Sequence, residues 1–202
     1  MQYNTESVSF RMLGDHKGEA LMVITSFYGG FVSFSSETGA RKEQLGAITN
    51  LLLIDTGPKK STATTVGHVS ELYNNDRSNT EKLLGGIDAC SRSGIAALAK
   101  GDMAVFGKCM YDDHELLRKL GVSSEGLDMV VEYAKEAKAY GAKLSGGGGG
   151  GLAIAVDNDL ASLEGMLSSK GFSVSKAAVS SIGASNYLPS TAPAVRGAAQ
   201  NR

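Results

Sequence analysis

The sequence predicts an α+β fold in which helices pack on one face of a sheet, and three observations carry that prediction. Three consecutive helical segments between residues 78 and 140 are joined by tight turns. Strand-like runs stand both before and after this helical block. Six consecutive glycines, Gly146 to Gly151, separate two of the later strand-like runs. With 202 residues, 42% hydrophobic and 20% charged, one domain is expected, and roughly 70% of the unfolded surface of such a chain is removed from water on folding. The glycine content is the compositional outlier, 26 residues where an average chain has about 14.

Taken in order, residues 1–19 are polar, lack periodicity and end in Gly14-Asp15-His16-Lys17-Gly18, so an irregular lead-in is expected. Leu21 to Thr25 and Phe31 to Phe34 read as short strands joined through Gly29-Gly30. Leu51 to Asp55 is an unbroken apolar run, as in a strand buried on both faces, and Gly57-Pro58 stops it. Ser61 and Thr62 then cap a helix whose apolar face is Val66, Val69 and Leu72 or Tyr73, ending at Asn74-Asn75-Asp76. Ser78 and Glu81 have capping-box spacing and predict a long helix to about Lys100, before Gly101. Asp102 caps the next helix, which carries Val105, Phe106, Cys109, Met110, Leu117 and Leu120 and closes at Gly121. A third, from Ser124 to Tyr140, presents Leu127, Val130, Val131, Ala134 and Ala137, with Gly141 as its stop. Strands at Ala142 to Leu144 and Leu152 to Val156, a helix from Leu160 to Lys170 and a strand from Phe172 to Val179 complete the pattern. Beyond Tyr187 the chain is rich in Pro, Ala, Gly and Ser and is expected to be a disordered tail.

Composition excludes several function classes. Twenty Lys and Arg against twenty-one Asp and Glu leave a net charge of −1, without a field to draw the chain onto nucleic acid or an anionic bilayer. Cys90 and Cys109 have no CxxC spacing, which argues for reduced thiols rather than a disulfide or zinc framework. No apolar run approaches the roughly 18 residues of a membrane span, and Met1 to Glu6 lacks the pattern of a signal peptide. A soluble, cytoplasmic protein is expected.

Two constellations point to chemistry. Six residues without Cβ let a backbone gather several N–H groups into one concavity that holds phosphate oxygens. A flexible linker is the alternative, although a linker normally separates domains, whereas this run lies between two apolar strands of one core. It matches neither a P-loop nor a dinucleotide fingerprint, because no Gly-Lys-Ser/Thr and no helix follows it. The second is the turn Asp55-Thr56-Gly57-Pro58-Lys59-Lys60-Ser61-Thr62, at the end of a buried strand and the start of a helix. Its lysines suit phosphate or carboxylate, and its hydroxyls and backbone donors stand at the positive end of the helix; a solvated turn with hydroxyls that only cap is the plainer reading. A third polar cluster, Asp112-Asp113-His114, reads as a solvated helix face rather than a metal or acid–base site.

Four segments together resemble the carboxyl-terminal part of the GHMP small-molecule kinases, and within them the mevalonate kinase branch. Lys143-Leu144-Ser145-Gly146-Gly147-Gly148-Gly149-Gly150 is similar to the family's third motif, with Gly147 in place of the usual Ala. Leu53-Ile54-Asp55-Thr56-Gly57, followed by Ser61-Thr62 and Val66, resembles the branch's strand-turn-helix. Met110, His114, Leu116, Leu117 and Leu120-Gly121-Val122-Ser123 resemble the helix pair that follows, and Tyr28-Gly29-Gly30 the link out of the catalytic loop. The resemblance runs in order from about residue 20 to 182. It implies a GHMP C-terminal-type domain with a mainly antiparallel sheet of split β-α-β, ferredoxin-like type over 20–182, of which 20–50 is a remnant of the amino-terminal domain, with the tail at 183–202.

The resemblance also implies ATP- and Mg²⁺-dependent phosphorylation of a small-molecule hydroxyl: mevalonate to 5-phosphomevalonate, in isoprenoid biosynthesis. Lys143, Ser145, Gly146, Gly147, Gly148 and Gly149 would bind the nucleotide phosphates, and Asp55, Thr56, Lys59, Ser61 and Thr62 the substrate; no residue is assigned to a metal. The chain departs from the family in two respects. The family's ATP-cradling Pro-x-x-x-Gly-Leu-Gly-Ser-Ser stretch and its amino-terminal Lys occur nowhere in the 202 residues, and the position of its catalytic Asp is Met22. Asp15 and Glu19 lie nearby without a spacing that commits either as the base. The expected protein is therefore the second half of a kinase, arising through a shortened gene, a fragment or a split enzyme completed by a companion chain, with a companion chain carrying the amino-terminal half or a homo-oligomer as its expected protein partner. The alternatives are a catalytically inactive metabolite- or partner-binding module, or another GHMP enzyme such as homoserine kinase or diphosphomevalonate decarboxylase.

Overall fold

In the computed structural model, residues 25–35, 39–45, 50–58 and 61–187 are described. The strands are β1 (Phe31–Ser35), β2 (Gly39–Glu43), β3 (Asn50–Asp55), β4 (Gly141–Leu144), β5 (Leu152–Val156) and β6 (Ser173–Ala178). The helices are α1 (Thr62–Asn75), α2 (Arg77–Lys100), α3 (Met103–Lys119), α4 (Glu125–Glu136) and α5 (Leu160–Ser169), followed by a 3-10 turn at Ala184–Tyr187. Four strands form one antiparallel sheet in the order β4-β5-β3-β6, and β1 pairs with β2 as a separate antiparallel hairpin. Leu53 stands opposite Ile154 on one side and Ser175 on the other, which makes β3 and β5 the central strands and explains their unbroken apolar sequences.

Alternation along the strands sorts the core into two clusters. Leu52, Ile54, Ala142, Leu144, Ala153 and Ala155 pack against Leu117 and Leu120 from the α3 end, Leu127, Val130, Val131 and Ala134 of α4, and Leu163 and Leu167 of α5. The intervening positions Leu51, Ile154 and Val156 pack with Ala97 and Leu98 of α2 and Phe106 and Met110 of α3. The long helices α2 and α3 serve both clusters, since Ile87 and Leu117 lie in the first. The closest backbone approach in this packing is between Gly107 of α3 and Gly141 of β4: a Cβ on Gly107 would lie 1.8 Å from the Tyr140 carbonyl oxygen.

Four helices end in the same way, with paired backbone bonds of the Schellman type. In α2 they run from Asp102 N–H to Ala97 O and from Gly101 N–H to Leu98 O. In α3 they run from Val122 to Leu117 and Gly121 to Arg118, and in α5 from Phe172 to Leu167 and Gly171 to Ser168. Gly101, Gly121 and Gly171 supply the positive φ. In α4 the same closure, Ala139 to Ala134 and Lys138 to Lys135, rests on Lys138 at φ 61°, where no glycine marks the stop.

That substitution explains one correction to the sequence reading: α4 ends at Glu136 rather than Tyr140, so Ala137 is exposed and Ala139 is buried in its place. The expected strand from Leu21 is not formed at Thr25, because residues 25–28 are helical and Gly29 N–H closes onto Thr25 O at 2.8 Å; 21–24 lie outside the described residues. The partner of β1 is instead β2, whose polar sequence Gly39-Ala40-Arg41-Lys42-Glu43 carries no strand periodicity. The N-cap of α2 is Asp76, whose carboxylate accepts from Asn79 N–H, so Ser78 lies inside the helix. Val66 and Val105, expected on buried faces, are 41% and 45% exposed. The expected irregular lead-in and the part of the tail after Tyr187 lie outside the described residues.

Candidate functional site

The site is assembled where the C-terminal end of β3 meets the glycine loop between β4 and β5. Pairing of Asp55 with Leu152 brings Thr56 against the last glycine. Thr56 donates to the Gly151 carbonyl twice, from its backbone N–H and from Oγ1, both at 2.8 Å. Ser145 N–H donates to Leu152 O at 2.8 Å and closes the base of the loop, while Gly149 N–H donates to Val122 O at 2.7 Å in the α3–α4 connection. Gly146, Gly148, Gly149, Gly150 and Gly151 all have positive φ, between 74° and 109°, a backbone that residues with a Cβ adopt only under strain. At Gly148 a Cβ would also lie 2.0 Å from Val122 O, so this position admits nothing larger than glycine. The loop is thus a fixed, folded turn, fastened to two neighbouring segments, which removes the linker reading.

The turn after β3 is shaped locally. Asp55 Oδ1 accepts from Gly57 N–H at 2.8 Å, and Gly57 has φ 93°. Ser61 caps α1: its Oγ accepts from Thr64 N–H at 3.1 Å and lies 2.8 Å from Thr64 Oγ1. Asp55 and Ser61 are exposed and Thr56 is partly buried. On the other flank, Gly126 in the first turn of α4 comes so close that a Cβ there would meet the Thr56 Cβ at 3.2 Å. Thr62 begins α1, and Lys59 and Met22 lie outside the described residues.

Lys143 stands on β4 just before the loop, with its side chain buried. It is 3% exposed and its Nζ lies 2.5 Å from Asp113 Oδ2, so its charge is matched within the fold. Asp113 and its neighbour His114 are buried, which corrects the reading of 112–114 as a solvated face; Asp112 alone of the three is exposed, paired with Lys108. Their burial was legible in the spacing Met110, Asp113, His114, Leu117, the i, i+3, i+4, i+7 stripe of a helix. His114 Nδ1 accepts from Leu144 N–H at 3.2 Å, and Nε2 lies 3.1 Å from Asp128 Oδ1, which also accepts from Ser123 Oγ at 2.6 Å. Burial lowers the His114 pKa below its usual 6.5; Asp128 opposes the shift, while Lys143 and Lys135 add to it. Val122, Ser123, Gly126 and Asp128 were not singled out as site residues, since each becomes local to the loop only through the α3–α4 connection.

Burial pushes the Cys90 thiol up to about 11 and raises that of Cys109, and both cysteines are free. Among the described residues no three His, Cys, Asp or Glu side chains converge as a cation site, and no helix is long and apolar enough to cross a membrane.

Comparison with known proteins agrees with this architecture. Residues 95–184 match the family model described as GHMP kinases C terminal. A mevalonate kinase of Methanocaldococcus jannaschii is 38% identical over 101 residues, 50% of this chain and 30% of that protein. A galactokinase of Pyrococcus furiosus is 48% identical over 67 residues, 32% of this chain and 19% of that protein. The structure of L. major mevalonate kinase in complex with R-mevalonate superposes with a TM-score of 0.68 at 26% identity, covering 74% of this chain and 49% of that one. The match spans half or less of each of these proteins. Residues 95–184, from the end of α2 through β6 with the glycine loop between β4 and β5, thus match the GHMP kinase carboxyl-terminal domain, and the α+β arrangement of helices on an antiparallel sheet matches mevalonate kinase structures.

Proposed function

We propose that this chain is the phosphate-handling half of a mevalonate kinase-type phosphotransferase, which transfers the terminal phosphoryl group of ATP to the hydroxyl of mevalonate. The observation that carries the proposal is the fastened glycine loop: successive positive-φ residues, held by Thr56 and Val122, at the end of a central strand. Such a backbone suits phosphate oxygens, because N–H groups approach an anion closely where no Cβ intervenes. In this reading Ser145, Gly146, Gly147, Gly148 and Gly149 line the phosphate end, and Asp55, Thr56, Lys59, Ser61 and Thr62 face the substrate carboxylate or the transferred group. Lys143 fixes β4 beneath the loop through Asp113 rather than reaching phosphate. Mg²⁺ supplies charge neutralisation when bound with the nucleotide. Isoprenoid biosynthesis in the cytoplasm is the setting this activity implies.

The catalytic base and the amino-terminal ATP loop are assigned to a companion chain that carries the amino-terminal half, since the loop occurs nowhere in the 202 residues and Met22 occupies the family's Asp position. A second reading, a binding module without turnover, is favoured by the same Met22. The experiment is ATP consumption by the purified 202-residue chain with Mg²⁺ and mevalonate, with galactose as comparison substrate, beside nucleotide binding by equilibrium dialysis. Binding of ATP that Gly148→Val abolishes, with turnover on mevalonate once the complementing half is added, is the expected result. Binding without turnover under either condition establishes the binding module, and turnover on galactose alone replaces the substrate. Absence of nucleotide binding with and without the complementing half overturns the proposal.

A further inference from the structure

The glycine loop is fastened at its start and in its middle to the two ends of one small, partly buried network. At its start, Leu144 N–H donates to His114 Nδ1. The ring reaches Asp128 through Nε2, Asp128 accepts from Ser123 Oγ, and Val122, next to Ser123, accepts from Gly149 N–H in mid-loop. The circuit Leu144, His114, Asp128, Ser123, Val122, Gly149 therefore closes on the loop itself. Alongside it, Asp113 holds Lys143, so adjacent residues of α3 grip adjacent residues of β4, one by an ion pair and one through the backbone.

We propose that His114 is a positioning residue for the glycine loop, and that it performs this role as the neutral imidazole. Nδ1 must be an acceptor to receive the Leu144 N–H, which leaves the single ring proton on Nε2, where it faces the Asp128 carboxylate. A second proton on Nδ1 would set two N–H groups against each other and release the strand just before Ser145. Among the described residues, the charged groups that act on the ring are Asp128 and Lys135 on α4 and Lys143 on β4, and Asp113, the neighbour of His114 on α3, is paired with Lys143. The ring is 3% exposed, and burial favours the neutral form. The importance of the loop to activity rests on the proposed function, whereas its positioning by His114 does not.

The test is amide hydrogen exchange of the 202-residue chain, which needs neither ATP nor substrate, so a chain without kinase activity still decides the question. His114→Asn places an acceptor near the Nδ1 position and gives up the Asp128 contact; His114→Gln does the reverse. The expected result is that His114→Gln lowers protection at Leu144 and across residues 145–151 by about tenfold, the size of one net hydrogen bond, while His114→Asn stays near the parent value. In the unaltered chain, loop protection should fall below pH 6.5 in step with the His114 ring titration followed by NMR, and this step should be missing in His114→Asn. Equal protection in both variants, or loop protection in the unaltered chain that ignores the His114 titration, overturns the proposal. The second measurement uses no variant and decides the matter even where a substitution prevents folding.

Discussion

Asp113 and Lys143 meet at 2.5 Å with both side chains 4% exposed or less, at the point where α3 crosses the strand that leads into the glycine loop. Asp113 Oδ1 has no hydrogen-bond partner among the described residues, so the carboxylate depends heavily on the ammonium. Removing one partner strands the other charge in the core. Lys143→Met is therefore expected to cost about 3–5 kcal/mol, and the double change Asp113→Leu, Lys143→Met to recover most of it. Urea unfolding of the three proteins, with m-values compared, checks this; a single variant as stable as the parent would contradict it.

The glycines of the helices predict effects of opposite sign. Gly85 in α2 has nothing within 4 Å of where a Cβ would stand, so Gly85→Ala should stabilise by about 0.5–1 kcal/mol through helix propensity. Gly107 in α3 has the same backbone type, but its Cβ would fall on the Tyr140 carbonyl, so Gly107→Ala should destabilise by at least ~1–3 kcal/mol. Thermal melts of the two variants should move in opposite directions.

The caps offer a third comparison. Asp76→Ala removes the side chain that accepts from Asn79 N–H and should cost about 0.5–2 kcal/mol. Ser78→Ala, which sequence spacing alone would rank as the more damaging, should stay within about 0.5 kcal/mol. Denaturation midpoints measured side by side distinguish the two.

Stability should also depend on pH through His114. Its folded-state pKa is depressed, so the unfolded chain binds more protons between the folded value and 6.5. Stability is then full above about pH 6.5 and declines as pH falls through the folded value. Unfolding midpoints between pH 8 and 5 check the sign: His114→Asn should flatten the decline, and an unchanged slope would remove His114 as its cause.

Elements whose sequence carries both a periodicity and a stop were legible: β3, α1, α3, β5 and α5 fall within a residue or two of the positions read from Leu51, Ser61, Asp102, Leu152 and Leu160. The failures have physical causes. Lys138 adopts a conformation that sequence reading reserves for glycine, so α4 was read too long. Strand β2 has no apolar alternation and exists because β1 lies beside it. The glycine loop was recognisable as a candidate from composition, but the atoms that fasten it, Thr56 Oγ1 and the Val122 carbonyl, come from segments far away in the chain. A backbone carbonyl leaves no trace in a residue pattern. His114 and Asp113 were visible in position yet misread, because polar residues on a buried stripe are expected to face water unless a partner is known.

The pairing of β3 with β5 has a consequence for how the protein is made. Thr56 and Gly151, which join at the end of these strands, are 95 residues apart. At roughly 5–20 residues per second, the apolar segment Leu51–Ile54 leaves the ribosome some 5–20 s before its neighbour in the sheet exists. Throughout that interval two edges of the segment are unsatisfied, and β6, its other neighbour, arrives later still. The helices α2 to α4, built from local contacts, can form in the meantime and shield it. Synthesis thus presents this chain with its greatest exposure to aggregation before the glycine loop has been translated, and growth conditions that slow elongation between residues 55 and 152 should lower its soluble yield.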